Sequence, residues 1–250
     1  MAGSRTYRTR VIVLDRVKLK ETDLILTLLS ESGKQIRAVG KGARKPGSRL
    51  AARCELFNVS DLLLARGRNL DVVSQAELLE APLGSRVDYE RMCSASAIAE
   101  IAKHCSYEDS EDPFVFQITA RALEVVGDEA TDSPHADLVT AAYIFKLLAH
   151  IGYRPEFSCC IACGDSACTF FSATAGGFLC ASCAATIPGA ERVDAVTVQW
   201  LRSLMGLTFD ELAAASIDPS QAVLLLAFSH VWAATHLDCR LRALEFLLGR

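Results

Sequence analysis

Two Cys-x-x-Cys pairs constrain this chain more than any other feature of its sequence. The first pair is Cys160 and Cys163, and the second, Cys180 and Cys183, follows after sixteen intervening residues. Each pair brings two thiolates to one metal ion from a single tight bend, and two pairs complete the tetrahedral shell that Zn2+ prefers. The sequence therefore predicts one structural zinc ion. Four buried or disulfide-bonded cysteines are the alternative.

The segment between the two pairs predicts a short β-hairpin that returns to the metal. A strand around Phe170 and Phe171 is followed by a Gly176-Gly177 turn and a second strand. Cys159 could replace Cys160 as a ligand, but the spacing would then be three residues, so Cys160 is preferred. A closed site of four cysteines contributes to folding rather than to chemistry. Reduced thiols together with zinc favour the cytosol.

Charge divides the chain into a basic and an acidic part. Residues 1–80 carry 15 Lys and Arg against 9 Asp and Glu, whereas the remaining 170 residues carry 11 against 21. A basic part joined to an acidic one indicates that the first part meets a polyanion.

Residues 7–80 have the pattern of a small β-barrel. Strands are predicted over residues 7–14, 23–29, 34–41, 56–64 and 70–79, because β-branched and alternating apolar residues recur between turn signals. Five short strands suit a barrel of the OB type, and a small open sandwich is the alternative.

From residue 82 onward, apolar residues recur at the spacing typical of helices. We therefore predict an α+β multidomain chain: a five-stranded OB-fold barrel in residues 1–81, then an all-helical domain in residues 82–250 that carries the four-cysteine zinc hairpin at about 153–188. The apolar run that follows the basic N-terminus is too short for a signal peptide, and no stretch is long enough to span a membrane. A soluble protein with no membrane partner is expected.

Basic side chains gather in the predicted barrel, with no acid between Glu31 and Glu55. Many lie in or beside a flexible glycine-rich loop over residues 40–48, which can present cations to phosphates from several directions. Only Tyr7 and Phe57 are candidates for base stacking, so phosphate contacts are expected to dominate. A solvated charged loop is the alternative. The predicted DNA-binding residues are Lys34, Arg37, Lys41, Arg44, Lys45, Arg49, Arg66 and Arg68.

The chain contains only partial matches to two enzyme motifs. Residues 42–48 resemble a P-loop, yet they lack the Lys that should precede Ser48. None of the five histidines stands in the His-x-Glu pattern of a zinc deaminase. The chain is therefore not expected to be an enzyme.

Several runs of residues resemble the RecO family of recombination mediators over nearly the whole chain. The first part carries Glu21-Thr-Asp-Leu-Ile-Leu-Thr, Gly40-Lys-Gly-Ala-Arg-Lys-Pro-Gly-Ser-Arg-Leu and Arg66-Gly-Arg-Asn-Leu. The second part carries Gly152-Tyr-Arg-Pro, the first cysteine pair, Gly176-Gly and the second pair. Cys159 is an addition to the family pattern.

The resemblance implies a DNA repair and homologous recombination function in the cytoplasm, at the nucleoid. It implies binding of single- and double-stranded DNA and annealing of complementary strands. It also implies contact with RecR and with the C-terminal tail of the single-strand DNA-binding protein, and thereby, indirectly, RecA loading. A zinc-stapled adaptor that binds RNA or protein without annealing, and a DNA enzyme such as a nuclease, are the alternatives.

Overall fold

The computed structural model describes residues 5–84 and 88–249. The polar start of the chain, residues 1–4, lies outside the described part. The chain forms two compact units, Met1–Asp128 and Glu129–Arg250. The first unit reaches past residue 81, and the predicted division between domains at that residue stays a prediction.

The five predicted strands form a closed barrel in the order β1-β2-β3-β5-β4. Only β3 and β5 are parallel, while the other neighbours are antiparallel. A five-residue helix, α1 (Arg49–Arg53), lies between β3 and β4 in sequence. A closed five-stranded barrel of this kind is the predicted OB-fold rather than an open sandwich. The strands are β1 (Thr6–Lys18), β2 (Leu24–Ser30), β3 (Gln35–Gly40), β4 (Val59–Ala65) and β5 (Asp71–Glu80).

Strand β1 closes the barrel because its two halves pair with different neighbours. Val11 pairs with Ser30 of β2 and also with Ser60 of β4. The inward side chains of the barrel, Leu26, Leu28 and Leu62 among them, are fully buried. Burial of one such leucine contributes about 1.5–3 kcal/mol.

Two long helices complete the first unit. α2 (Tyr89–Cys105) is capped by Asp88, and α3 (Pro113–Gly127) is capped by Asp112. α2 contacts the barrel, where Lys103 Nζ lies 2.6 Å from a carboxylate oxygen of Asp15. Gly33, in the turn before β3, has a φ of +83°, and a β-carbon there would lie 1.8 Å from the Asp112 carbonyl oxygen.

The second unit is helical around a small sheet. Four of its helices, α4, α6, α7 and α8, begin at a side-chain cap, such as the capping box of Thr208 and Glu211. α4 is buried nearly all round and packs against α8. The helices are α4 (Ser133–His150), α5 (Ala181–Ala184), α6 (Ala195–Gly206), α7 (Phe209–Ala213), α8 (Pro219–Leu237) and α9 (Arg242–Leu248).

The predicted hairpin is present and is extended by a third strand. β6 (Cys168–Ser172) pairs with β7 (Gly177–Cys180) on one side and with β8 (Glu191–Arg192) on the other. β8 was not predicted, because two residues carry no periodic pattern. Across the described residues, every helix is too short or too polar to cross a membrane.

Candidate metal centre and nucleic-acid interface

The structure brings the two cysteine pairs together into one cluster. The sulfur atoms of Cys160, Cys163, Cys180 and Cys183 all lie within 4.8 Å of one another. Cys163 Sγ and Cys180 Sγ are 3.7 Å apart. A tetrahedral zinc ion with bonds of about 2.3 Å to sulfur requires sulfur separations of about 3.8 Å. The four thiols therefore fit a tetrahedral zinc ion.

Backbone hydrogen bonds shape the first cysteine pair. The Gly164 N–H donates to the Cys160 carbonyl oxygen at 2.8 Å, and the Cys160 N–H donates to the Asp165 carbonyl oxygen at 2.7 Å. Gly164 has a φ of +78°, which a residue with a β-carbon rarely adopts. The resulting bend turns both thiols of this pair to the same side.

The second pair lies where β7 gives way to α5. Cys180 ends β7 and immediately precedes α5, whose short turn carries Cys183. The Ile161 N–H donates to the Phe178 carbonyl oxygen at 2.9 Å, which fastens the first pair to β7. The hairpin thus brings both pairs to one place.

The thiols influence one another strongly. The pKa of Cys160 is lowered to about 6, chiefly because the Cys180 N–H donates a hydrogen bond to its sulfur. The pKa of Cys183 is raised to about 12, because its thiol is hydrogen-bonded to Cys180 and then to Cys163. Four thiols this close cannot all ionise without a cation, and a divalent ion supplies the charge that permits it.

Two further cysteines lie beside the cluster without joining it. Cys159, the alternative ligand in the sequence, accepts a hydrogen bond from Ser158 Oγ at 3.7 Å. Cys168 is buried on β6, and its thiol donates to the Asp165 carbonyl oxygen at 3.4 Å. Cys168 was not predicted to lie near the cluster, because it stands singly between the two pairs.

Aromatic rings connect the hairpin to the helical core. Phe171 on β6 packs edge-on against Phe228 of α8 at 5.1 Å between ring centroids, and Phe178 on β7 lies 4.8 Å from Phe157. Trp232 Nε1 donates to the Tyr153 carbonyl oxygen at 3.2 Å. A four-cysteine site on such a support has the character of a structural clip, since every position of a bound tetrahedral ion would be filled by sulfur.

The predicted DNA-binding residues all lie on the barrel and its connections. Arg37 is on the exposed face of β3, between the buried Ile36 and Ala38, as the alternation predicts. Lys34 is half-buried in the turn before β3, and the remaining candidates are exposed. OB-folds bind nucleic acids on this strand face and with the β1–β2 and β4–β5 loops. Of the others, Lys41, Arg44 and Lys45 lie in the β3–α1 turns (residues 41–48), Arg49 begins α1, and Arg66 and Arg68 lie in the β4–β5 loop (residues 66–70).

Ion pairs separate these candidates from the other cations of the barrel. Arg8 lies 3.3 Å from Asp61, Arg16 lies 2.7 Å from Glu55, and Arg10 contacts the carboxylate of Glu80. Within the described residues, none of the eight candidates forms such an ion pair. Their charge is therefore left for an external anion.

The β3–α1 segment contains local hydrogen bonds. The N–H groups of Ala43, Lys45 and Ser48 donate back to Gly40, Gly42 and Lys45. The segment therefore forms consecutive turns that lead into α1. Arg44 is also held, because its Nη1 donates to the carbonyl oxygens of Lys20 at 3.2 Å and of Glu21 at 2.9 Å.

The two candidate stacking rings are engaged within the barrel. Phe57 is buried, with 2% of its surface exposed. Tyr7 donates a hydrogen bond to Asp71 at 2.5 Å, and the guanidinium carbon of Arg66 lies 4.7 Å from the centre of its ring. Burial and the Asp71 carboxylate raise the pKa of Tyr7 above its usual value. These contacts favour an interface made of cations rather than rings.

Sequence reasoning missed three exposed cations beside the candidates. Lys18 is the last residue of β1, and Lys20 lies in the β1–β2 loop (residues 19–23) that follows. Arg5 lies next to the β4–β5 loop, and its carbonyl oxygen accepts from the Arg66 N–H at 2.8 Å. One signal in the sequence could have identified these cations: a charged strand end that leads into an OB-fold binding loop.

Both parts of the chain match models of one protein family. The model described as "Recombination protein O N terminal" matches residues 1–82, and "Recombination protein O C terminal" matches residues 86–245. A "DNA repair protein RecO" of Cutibacterium acnes is 38% identical over 206 residues, which cover 80% of this chain and 82% of that protein. One of Nocardioides sp. is 33% identical over 252 residues, covering 96% and 98%. One of Roseiflexus sp. is 39% identical over 183 residues, covering 72% and 63%.

Proposed function

This chain belongs to the RecO family of DNA repair proteins, and from that membership we propose that it binds single- and double-stranded DNA and anneals complementary strands. The observation that carries the proposal is the set of exposed cations on the barrel that form no ion pair with any described residue, of which Lys41, Lys45 and Arg49 form the centre. Lys34, Arg37, Arg66 and Arg68 extend the path along the OB-fold binding face.

Annealing follows from charge neutralisation. Two DNA strands repel each other through their phosphates, and cations that contact both strands lower this repulsion. Phosphate contacts carry no sequence information, so the chain would assist any complementary pair of strands. The engaged positions of Tyr7 and Phe57 support a mechanism without base stacking.

The acidic second part has a different task in this proposal. Its 21 Asp and Glu against 11 Lys and Arg after residue 80 disfavour contact with DNA. We assign to it the protein partners of the family: the C-terminal tail of the single-strand DNA-binding protein, and RecR, with which the chain helps to load RecA onto coated DNA. The chain then works in the cytoplasm, at the nucleoid, by binding rather than by catalysis.

One zinc ion, held by Cys160, Cys163, Cys180 and Cys183, would contribute binding free energy to the fold of the second unit. The hairpin and the aromatic contacts beneath it would then be fixed at the surface that meets protein partners.

The test is DNA binding and annealing by the variant Lys41→Gln/Lys45→Gln/Arg49→Gln. Each lost phosphate contact lowers the slope of log K against log salt by about 0.7 on single-stranded DNA, so we expect a decrease of about 2. At 0.1 M salt the affinity then falls roughly 100-fold. Annealing of complementary oligonucleotides, followed by fluorescence energy transfer, should slow in parallel.

A matched control is Arg8→Gln/Arg10→Gln/Arg16→Gln, which changes the net charge by the same amount at cations held in ion pairs. Its salt slope should stay close to that of the wild type. Equal losses in both triple variants would show that only net charge matters and would refute the assigned interface. Binding without annealing would instead favour an RNA- or protein-binding adaptor, and metal-dependent cleavage of DNA would reveal a nuclease.

A further inference from the structure

The β1–β2 loop is fastened to the β3–α1 turns by hydrogen bonds that involve two side chains, one as acceptor and one as donor. The Gly42 N–H donates to Asp23 Oδ1 at 2.8 Å. Arg44 Nη1 donates to the carbonyl oxygens of Lys20 and Glu21. The Arg44 N–H also donates to the Thr22 carbonyl oxygen at 2.9 Å. We call the side-chain contacts of Asp23 and Arg44 the loop clamp.

The acceptor in the clamp is a carboxylate placed among cations. The Gly42 N–H is the main cause that lowers the pKa of Asp23, and the charges of Lys20 and Lys41 lower it further. Gly42 presents its N–H with a φ of +67°, which favours glycine. A negative charge beside the cations that are proposed to bind phosphates weakens DNA binding through electrostatic repulsion. The presence of Asp23 at this place is therefore better explained by a structural role, the positioning of the loop, than by its charge.

The strand register places Lys18 near the predicted interface, and the Arg44 contact to the carbonyl oxygen of Lys20 places that residue there. Lys18 pairs with Leu24, and Leu24 pairs with Gly40, so the end of β1 and the end of β3 lie two strands apart at one edge. Neighbouring strands are about 4.8 Å apart, which puts these ends about 10 Å from each other. Lys18 and Lys20 are exposed and form no ion pair with a described residue.

We propose that Asp23 and Arg44 are positioning residues, which hold the β1–β2 loop against the β3–α1 turns so that Lys18 and Lys20 contact the same DNA as Lys41 and Lys45. This inference rests on the proposed function and adds two contacts to it. It also changes the role of Arg44 from a direct phosphate contact to a support for neighbouring cations.

The sign of one substitution distinguishes positioning from plain electrostatics. Asp23→Ala removes a negative charge beside the interface, so the field alone predicts tighter DNA binding. The clamp predicts weaker binding, because the loop with Lys18 and Lys20 is released. Glu21→Gln is the matched control, since it removes the same charge two residues away and keeps the backbone carbonyl that Arg44 contacts. We expect Glu21→Gln to bind at least as tightly as wild type.

Rescue by a conservative variant separates the clamp from general loss of fold. Asp23→Asn keeps an oxygen that accepts from the Gly42 N–H, so it should bind DNA at least as tightly as wild type. Thermal unfolding followed by circular dichroism verifies that each variant is folded. If Asp23→Ala and Glu21→Gln both bind more tightly, the clamp is refuted.

A double-mutant cycle tests Arg44. Lys18→Gln/Lys20→Gln should lower the salt slope by about 1.4 and the affinity roughly 25-fold at 0.1 M salt, measured by anisotropy of a fluorescent single-stranded oligonucleotide. As a positioning residue, Arg44 should matter less once these lysines are gone, so Arg44→Ala should have a clearly smaller effect in that background. An equal loss in both backgrounds would show that Arg44 contacts phosphate itself.

The clamp and the proposed function fail in different ways. Unchanged binding by Lys41→Gln/Lys45→Gln/Arg49→Gln removes the interface as a whole. A strong loss in that variant, together with an unchanged salt slope in Lys18→Gln/Lys20→Gln, leaves the interface in place and refutes the clamp alone.

Discussion

Two adjacent phenylalanines on β6 test whether the cysteine hairpin is a structural clip. Phe171 is 2% exposed and packs against Phe228, Trp232 and Phe157 of the second unit. Phe170 is half-buried. Phe171→Ala should destabilise the second unit strongly, and Phe170→Ala should do so only slightly.

The magnitude follows from burial. Truncation of a buried phenylalanine to alanine costs about 3–5 kcal/mol, through lost transfer free energy and the cavity left behind. Phe170 is only half-buried, so its truncation forfeits about half of the transfer free energy of a fully buried side chain, about 1 kcal/mol. Both variants lose the same β-propensity on the same strand, so their difference isolates the packing of Phe171. We expect this difference to be at least about 2 kcal/mol.

The assay exploits the positions of the tryptophans. The chain has two, Trp200 and Trp232, and both lie in the second unit. Intrinsic fluorescence during urea denaturation therefore reports the unfolding of that unit. The midpoint of Phe171→Ala should fall well below that of Phe170→Ala, while DNA binding by the folded Phe171→Ala protein should persist. Equal midpoints for the two variants would refute the packing of the hairpin on the helical core.

Two further predictions concern the metal and pH. Wild type should contain one zinc per chain by mass spectrometry and be destabilised by a chelator; Cys180→Ser should lose the metal, whereas Cys159→Ser should keep it. Loss of the metal in Cys159→Ser would show that Cys159 is a ligand and that the assignment of Cys160 is wrong. Burial lowers the pKa of His135, but hydrogen bonds to the Ala215 carbonyl and the Asp132 carboxylate outweigh it and raise the pKa above 6.5. The stabilisation by protonated His135 is complete below the pKa of the unfolded state and is lost as pH rises through the pKa of the folded state. His135→Gln should therefore destabilise the protein more at pH 6 than at pH 9. A difference between wild-type and variant urea midpoints that stays the same at both pH values would contradict this prediction.

The strands and helices were predictable where one residue type repeats at a fixed interval. Alternation along β3 identified both its buried and its exposed face. Helix starts carry recognisable Asp or Thr caps, such as Asp132 before α4. The four cysteines were found for the same reason, because their spacing is itself a pattern.

Short elements and long-range contacts were not predictable from patterns. α1 has five residues and β8 has two, so neither is long enough for a repeating apolar pattern to be recognised in the sequence. The loop clamp joins Asp23 to Gly42 and Arg44 to Lys20, residues about twenty positions apart. Nothing in either segment alone indicates the other. Only the pairing of β2 with β3 brings them together.

The charge of the barrel shows why an interface requires the fold as well as the composition. By sequence, Arg8, Arg10 and Arg16 are as basic as Arg37 or Lys41. The pairing of β1 with β4 and of β4 with β5 places Asp61 and Glu80 beside Arg8 and Arg10, so their charges cancel locally. Three of the nine acids in residues 1–80, Asp61, Glu80 and Glu55, thus neutralise this one set of arginines. The excess positive charge that composition reveals is concentrated at the β3–α1 turns and the β4–β5 loop, neither of which contains an acid, and there a polyanion gains most from contact.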